Sequence, residues 1–433
     1  MREMKRVGIV GGVRIPFARV NTDYAHSSNF DMLTATLKSL SERFGLTGKV
    51  LGEVAAGAVV KHTRDFNLTR DAVLGCGLAP LTPAYDVQQA CATSLEATIL
   101  VANKIAVGQV HAGMAAGVDS ASDAPIVVRE GLREIVLAFE RSRSRASRLK
   151  LLSKIRPWML VPEIPSINDR FTGLSMGEHC ELMVKRWNIS REAQDELALA
   201  SHVLGVKAYD EGFYDDLIAP YAGLTRDNNL RRDTSLEKLA RLKPVFDADS
   251  GRGTITAGNS TPLTDGAAAL LLASEDWARQ NGLELQAYLI DAETAAVNYI
   301  GADAEGLLMA PVYAVPRLLD RNGLTLDGFD FYEIHEAFCG QLLCTLAAWE
   351  SATYCRDALG RPAPLGAIDR ARLNMRGGSV GLGHPFAATG ARIVATAAKQ
   401  LAGYRANTGR PGRALISVCA AGGLGATAIL ESA

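Results

Sequence analysis

The chain has no CxxC pair. Its seven cysteines, Cys76, Cys91, Cys180, Cys339, Cys344, Cys355 and Cys419, are odd in number and stand apart. That pattern argues against a locally paired zinc site and a disulfide framework, and predicts reduced thiols, most of them buried small hydrophobes. Net charge is also lacking: at -1, with 21% charged and 48% apolar residues, the composition is that of a soluble globular protein and excludes nucleic acid as the expected main partner. No apolar run reaches the roughly 18 to 20 residues of a membrane-spanning helix. The longest uncharged stretch, Ala414 to Leu430, is interrupted by Gly422, Gly423 and Gly425. The basic start reaches Arg14 before it builds a signal-peptide core, so a cytoplasmic protein is expected. A dinucleotide fingerprint is missing too. RVGIVGGV, residues 6–13, reads as a buried strand and a turn, but its glycines are wrongly spaced and Pro16 and Phe17 stand where a helix should start.

What is present is alternation. At 433 residues the chain is long enough for two or three domains. Leu33, Leu37, Leu40 and Phe44 recur at helical spacing within Phe30 to Phe44, and Val54 to Val60 reads as a strand. The order predicts an α/β protein, a sheet covered by helices. In Ala84 to Ser120 a strand ends at Val87, Cys91 follows, and Leu95, Ile99, Ala102 and Ile105 face one way on a helix starting near Thr93. Ala112 to Val118 reads as the next strand. Cys91 then lies at a helix N-terminus, where unpaired N–H groups and the macrodipole favour a thiolate. The competing reading is a buried thiol in a strand-to-helix turn.

The last sixty residues repeat the theme. His384 precedes Pro385, which suits a first helical turn, and Val394, Ala397, Ala398 and Leu401 share a face. Ala414 to Val418 reads as a buried strand ending at Cys419, with Ala420 to Gly423 forming a tight turn. Cys91 and His384 thus look like equivalent positions in two copies of one strand, turn, helix, strand unit, which would set two helix N-termini face to face.

Between the copies the pattern breaks. Arg141 to Arg156 carries seven basic residues and no acidic one. Leu149, Leu152 and Ile155 give it an apolar side, and an extended apolar piece continues to Pro165. A solvated face is one reading; a docking surface for a partner or a membrane is the one favoured here. Met176 to Asp210 is helical in pattern, broken at Asn188 to Ser190, with Ser190 capping the second helix. A strand reaching Ile334 ends at His335 and Glu336, and strand ends are where open α/β sheets build their sites.

Scattered over separate turns, these cysteines and histidines are poor zinc ligands, so no metal is expected. Covalent catalysis fits them better. Cys91 can attack an acyl carbonyl to form a thioester, the backbone at Cys91 and Ala421 can supply N–H donors for the oxyanion, and Cys419 can exchange protons with the leaving or attacking group.

Five stretches in order, QQACATSLEA, GTITAGNSTPLTDGAAA, EIHEAFCG, GGSVGLGHPFAATGAR and CAAGGLGA, span nearly the whole chain and resemble the thiolases. The resemblance implies Cys91 as nucleophile, His384 as its activator and part of the substrate-oxygen hole, and Cys419 as acid and base. It implies duplicated α/β halves in a five-layered αβαβα arrangement: a first half at 1–127 completed by 249–278, an inserted loop domain at 128–248 covering the coenzyme A site, and a second half at 279–433. No permanently bound cofactor is implied; coenzyme A and acyl-CoA are substrates. The assembly implied is a homodimer or dimer of dimers. His335 stands where most thiolases have asparagine, a variant resembling the β subunits of fatty-acid β-oxidation trifunctional complexes, so the oxyanion or water contact would fall to His335. Those β subunits pair with an α subunit carrying enoyl-CoA hydratase and 3-hydroxyacyl-CoA dehydrogenase. Arg231, Met176, Ala257, Thr261, Phe246 and Phe338 fall at positions implied to contact substrate or coenzyme A, and Ser175 replaces a histidine of short-chain biosynthetic relatives. The direction implied is degradative: 3-ketoacyl-CoA plus coenzyme A to acetyl-CoA and an acyl-CoA two carbons shorter. A biosynthetic acetoacetyl-CoA thiolase is the alternative. A 3-ketoacyl synthase is disfavoured because Cys419 stands where synthases have a histidine, and a non-catalytic coenzyme A-binding scaffold is disfavoured by the intact Cys91, His384 and Cys419.

Overall fold

The computed structural model describes residues 4–163, 167–301 and 304–433. The glycines of the first strand do not turn it. Val7–Arg14 runs as one buried strand, and its glycines make room for neighbours: a Cβ on Gly12 would sit 2.6 Å from the Cβ of Ala395. The segment expected as a strand from Val54 to Val60 is strand only over Glu53–Ala56. Beyond it the N–H groups of Val59 and Val60 turn to the Asp119 carboxylate at 2.9 and 2.8 Å, which takes them out of the ladder. The first helix, Asn29–Arg43, starts one residue before Phe30. Ser28 and Asp31 close a capping box there, each side chain accepting from the other's backbone N–H.

The sheet is continuous. Its strands lie in the order Ala84–Asp86, Glu53–Ala56, Ala112–Asp119, Thr264–Ser274, Val7–Arg14, Ala287–Ala296, Leu424–Ser432, Arg413–Ala420 and Phe331–Ile334, with Ala18–Arg19 beside Thr264–Ser274. Glu53–Ala56 pairs in parallel with both its neighbours, and Phe331–Ile334 with Arg413–Ala420; the other pairs are antiparallel. Between the two halves the ladder narrows to Val7, Gly8 and Ile9 against Leu289, Tyr288 and Ala287.

Period-2 alternation sets the layers. On Thr264–Ser274, Ala268, Leu270 and Leu272 face one core, while Ala267, Ala269, Leu271 and Ala273 face another. On Arg413–Ala420, Ala414, Ile416, Val418 and Ala420 face the core that holds Leu270, while Leu415 and Cys419 face a third. The shared core contains helices Thr93–Ala106 and Thr389–Thr408. The outer cores contain Asn29–Arg43 with Leu68–Gly75 on one side and Ala310–Asn322 with Cys339–Glu350 on the other. Reading across gives helix, sheet, helix, sheet, helix, the five layers expected. Each helix is held by its apolar stripe; Leu95, Val101 and Ile105 are fully buried.

The stretch between Asp119 and Thr264 adds helices Glu130–Arg141, Arg145–Leu152, Met176–Arg186 and Arg191–Asp210. The last two separate where expected, and the Ser190 side chain accepts from the Ala193 N–H. Arg145–Leu152 buries none of its residues, and Leu149 and Trp158 are 71% and 58% exposed. The expected docking segment ends at Ile164 and Pro165, which lie outside the described residues.

Candidate active site

Cys91 occupies a turn between Ala84–Asp86 and Thr93–Ala106. Ala90 holds φ at 45°, a left-handed value costing a non-glycine residue on the order of 1 kcal/mol or more. Thr93 holds the turn: its hydroxyl donates to the Ala90 carbonyl at 2.7 Å and accepts from the Gln89 N–H at 2.9 Å. The helix has no side-chain cap, and its first N–H, that of Thr93, donates to the Ala90 carbonyl at 3.1 Å.

His384 comes from the other half. Gly383 at φ 111° turns the chain, where a Cβ would meet Asn229 Nδ2 at 2.5 Å, and the His384 N–H donates to Thr264 Oγ1 at 3.2 Å. Pro385 caps a 3₁₀ turn, Phe386–Ala388, and the α-helix begins only at Thr389. The expected equivalence is therefore approximate: Cys91 lies two residues before its α-helix and His384 five before its own. The two helices do meet at their first turns, where the Ala391 N–H donates to Ser94 Oγ at 2.8 Å. Asp119 ties the halves further, accepting from Val59, Val60 and, at 2.8 Å, the Ala387 N–H. As a result His384 Nε2 stands 3.2 Å from Cys91 Sγ, while Nδ1 lies 2.6 Å from Thr389 Oγ1. With its proton on Nδ1, donated to Thr389, the imidazole presents a lone pair to the thiol.

Burial works against the thiolate expected from the helix end. Burial pushes the Cys91 thiol up to about 12 from an ordinary 9.0, with the Ala421 N–H opposing. That climb corresponds to ~4 kcal/mol, whereas a helix end supplies at most about 2 kcal/mol. Burial, reinforced by the Arg392 charge, pushes His384 down to about 3. Both effects favour neutral thiol beside neutral imidazole, so the proton moves when the sulfur attacks.

Cys419, 1% exposed, is the last residue but one of strand Arg413–Ala420, with its thiol near Cys91 and the Ala337 N–H. Burial drives its pKa well above the ordinary thiol value, which keeps it protonated and able to donate. The Ala421 N–H lowers the Cys91 thiol from within the turn made by Gly422 at φ 84° and Gly423 at φ 71°. His335 follows Phe331–Ile334 and donates its N–H to the Ser417 carbonyl at 2.8 Å. Its ring centroid is 4.2 Å from that of His384. Glu336 points away, accepting from Ser201 Oγ at 2.7 Å and Asn374 Nδ2 at 2.6 Å, and so fixes the strand end. The scattered spacing that argued against a metal does not survive folding: one ligand atom each from Cys91, His335 and His384 lies within 4.8 Å of the others.

The residues expected to contact coenzyme A divide between two places. Arg231 and Ala257 line one cleft with Lys238, Ser260 and Val380. Met176, Phe246 and Phe338 pack instead against the core that contains Cys419, with the two phenylalanine rings edge to face at 6.4 Å. Thr261 donates both its N–H and, at 3.1 Å, its hydroxyl to the Ala337 carbonyl, placing it beside the His335 turn. Ser175 caps Met176–Arg186 in a second capping box, with Glu178.

Several residues at the site escaped the sequence reading: Thr389 on His384, Ser379 and Arg392 behind His335, Asp119 between the halves, and His202, whose Nδ1 accepts the Arg231 N–H at 3.3 Å. Three of them, Ser379, Thr389 and Arg392, lie inside the stretch GGSVGLGHPFAATGAR, where each polar residue invites the question of what it binds. Asp119 and His202 carry no local signal.

Comparison with known proteins agrees with this geometry. Residues 7–276 match the thiolase N-terminal domain and residues 288–432 the thiolase C-terminal domain. A 3-ketoacyl-CoA thiolase of Vibrio cholerae is 41% identical over 99% of this chain and 98% of its own, and one of Yersinia pestis is 40% identical with the same coverage. Among solved structures, a Bacillus anthracis acetyl-CoA acetyltransferase aligns with a TM-score of 0.81 at 28% identity, covering all of both chains. An Ascaris suum thiolase in complex with coenzyme A aligns with a TM-score of 0.80 at 26% identity, covering 99% of this chain and 100% of that one.

Proposed function

The chain belongs to the thiolase family, and from that premise we propose that it is a 3-ketoacyl-CoA thiolase, an acetyl-CoA C-acyltransferase of fatty-acid β-oxidation. The observation that carries the reading is the 3.2 Å approach of Cys91 Sγ to His384 Nε2, with Cys419 alongside. Cys91 sulfur attacks the 3-keto carbon as its proton passes to His384. The 3-keto oxygen gains negative charge beside the N–H groups of Cys91 and Ala421, and the N–H groups of His384 and His335 stabilise the thioester oxygen, which takes up charge as the C2–C3 bond breaks. When the C2–C3 bond breaks, C2 takes the proton of Cys419 and leaves as acetyl-CoA, and the shortened acyl group remains on Cys91 as a thioester. The Cys419 thiolate then removes the proton of coenzyme A, whose sulfur attacks the thioester carbonyl. The same N–H groups of Cys91 and Ala421 receive the oxyanion of this second step, and the departing Cys91 sulfur recovers its proton from His384.

The name shared by relatives at 40 to 41% identity favours degradation over the acetyltransferase name of the structure at 28%. A chain-length profile of thiolysis tests it: turnover of long 3-ketoacyl-CoA is expected, and activity on the C4 substrate alone overturns it in favour of the biosynthetic reading.

The same reading divides the chain as 1–127 with 249–278, an inserted 128–248, and 279–433. It is supported by strand Thr264–Ser274, which pairs with both Val7–Arg14 and Ala112–Asp119 from before the insertion. It places Arg231 and Ala257 on coenzyme A, and Met176, Thr261, Phe246 and Phe338 on the acyl and pantetheine side. It also includes a cytoplasmic location and a homodimer or dimer of dimers, supported by large apolar side chains left exposed, among them Phe66 at 83% and Leu81 at 81%. The exposed basic segment from Arg141 is its surface for a hydratase/dehydrogenase subunit or a membrane.

A further inference from the structure

His335 can serve an oxyanion only if its free nitrogen carries a proton. Its two nitrogens have different surroundings. Nδ1 lies 2.8 Å from Ser379 Oγ, and Nε2 has no hydrogen-bond partner among the described residues. Behind the serine, Arg392 Nη2 donates to the same Oγ at 2.8 Å. All three residues are buried, at 0%, 0% and 2% exposure for His335, Ser379 and Arg392.

The donor inventory orders this chain of bonds. A guanidinium has only donors, so Ser379 Oγ accepts from Arg392. The serine has one hydrogen, and among the described residues the remaining hydrogen-bond partner able to accept it is His335 Nδ1. Were Nδ1 protonated instead, Ser379 would accept twice and its own O–H would be buried unpaired, at a cost of about 1 to 3 kcal/mol. Burial, with the neighbouring His384 and the Arg392 charge adding to it, holds His335 well below the ordinary imidazole range, so the ring carries a single proton. That proton belongs on Nε2.

We propose that Arg392 and Ser379 are positioning residues that lock His335 in the Nε2–H tautomer and aim that N–H, beside the ring of His384, at the substrate carbonyl oxygen. The part played at the oxygen rests on the thiolase reading above; the tautomer does not. The same lock separates an anion hole from a metal site. A metal bound by Cys91, His335 and His384 would need a lone pair on His335 Nε2, and a proton there withholds it.

The tautomer is read directly by nitrogen NMR of the full-length protein labelled with 15N-histidine, without substrate. The His335 signals are assigned by their loss in His335→Asn. A protonated Nε2 and a bare Nδ1 are expected in the wild type, and a protonated Nδ1 overturns the proposal. In Ser379→Ala the proton should redistribute towards Nδ1. Thiolysis should then lose about 10- to 100-fold in kcat, the scale of a weakened oxyanion donor, with KM for coenzyme A within about twofold. Ser379→Thr, which keeps the hydroxyl, should recover most of it. An unchanged tautomer in Ser379→Ala, or a redistributed one with unchanged kcat, overturns the positioning role. A wild type that cleaves no 3-ketoacyl-CoA defeats the functional reading instead, and leaves the tautomer to the spectrum.

Discussion

A Cβ placed on Gly390 would come within 2.4 Å of the backbone nitrogen of Leu95. The two residues sit in the first turns of the two central helices, so the glycine sets how closely the halves bring Cys91 and His384 together. Gly390→Ala should therefore destabilise the protein by about 1 to 3 kcal/mol through overpacking against rigid backbone. It should also lower kcat by stretching the sulfur–imidazole approach. Urea unfolding and thiolysis rates on the same preparation check both effects; an alanine variant equal to wild type in both would show that the contact is slack.

The neutral thiol–imidazole pair makes a prediction about alkylation. With Cys91 pushed up to about 12 and His384 down to about 3, the thiolate fraction of the free enzyme should rise about tenfold per pH unit across pH 7 to 10. Iodoacetamide inactivation should follow that slope. A plateau through neutral pH would reveal a standing thiolate–imidazolium pair instead. Cys91→Ser should remove thiolysis while leaving the fold intact, and undiminished turnover would remove Cys91 as the nucleophile.

Buried histidines should tie stability to acid. His384 is pushed down to about 3 and His202 to about 4, both mainly by burial, against about 6.5 in the unfolded chain. Between those values the unfolded state binds more protons, so this contribution is complete above pH 6.5 and is lost as pH falls towards 4 and 3. Each such histidine costs about 1.4 kcal/mol per pH unit in its window. Urea midpoints at pH 5, 6 and 7 should fall with acidity, and His384→Asn should reduce the slope.

Arg231 lies in a cleft with Ala257 and Lys238 whose lining includes neither Cys91 nor Cys419. Arg231→Ala should raise KM for coenzyme A about tenfold with kcat little changed, the signature of lost ground-state and transition-state binding alike. A fall in kcat at unchanged KM would move Arg231 out of the binding role.

Removal of residues 141–160 should leave thiolysis near its wild-type rate and abolish co-purification with a hydratase/dehydrogenase subunit or retention on anionic vesicles. Unchanged association in both assays removes the docking role. The helix at Arg145–Leu152 buries nothing, so its loss should cost little stability.

Much of this architecture is legible in the chain because its signals are local. The helix at Thr93–Ala106 begins at the expected residue, as its apolar positions recur at helical spacing. The break at Asn188 to Ser190 was equally plain, since a capping serine announces itself. Elsewhere the deciding partner is distant in sequence. Val59 and Val60 leave the strand because Asp119 captures their N–H groups. Gly11 and Gly12 stay in a strand because helices pack over them, with Phe44 against the first and Ala395 against the second. The helix-end argument for a Cys91 thiolate meets the same opposition: the dipole is a property of the local chain, whereas burial, which pushes the thiol up, is contributed by the whole fold. Ser379 and Arg392 were within view in a quoted motif, yet nothing in their spacing says that they meet behind His335.

Strand Thr264–Ser274 lies between Ala112–Asp119 and Val7–Arg14 and pairs with both. On the ribosome, the two outer strands emerge long before the one that joins them. At ordinary elongation rates the stretch between Asp119 and Thr264 takes on the order of 10 s to synthesise. For that interval the nascent first half holds two apolar strands with unpaired edges and no central partner, the kind of surface that recruits chaperones or neighbouring chains. The order in which the gene encodes its strands therefore sets a vulnerable period in the making of this protein, separate from the stability of the finished molecule.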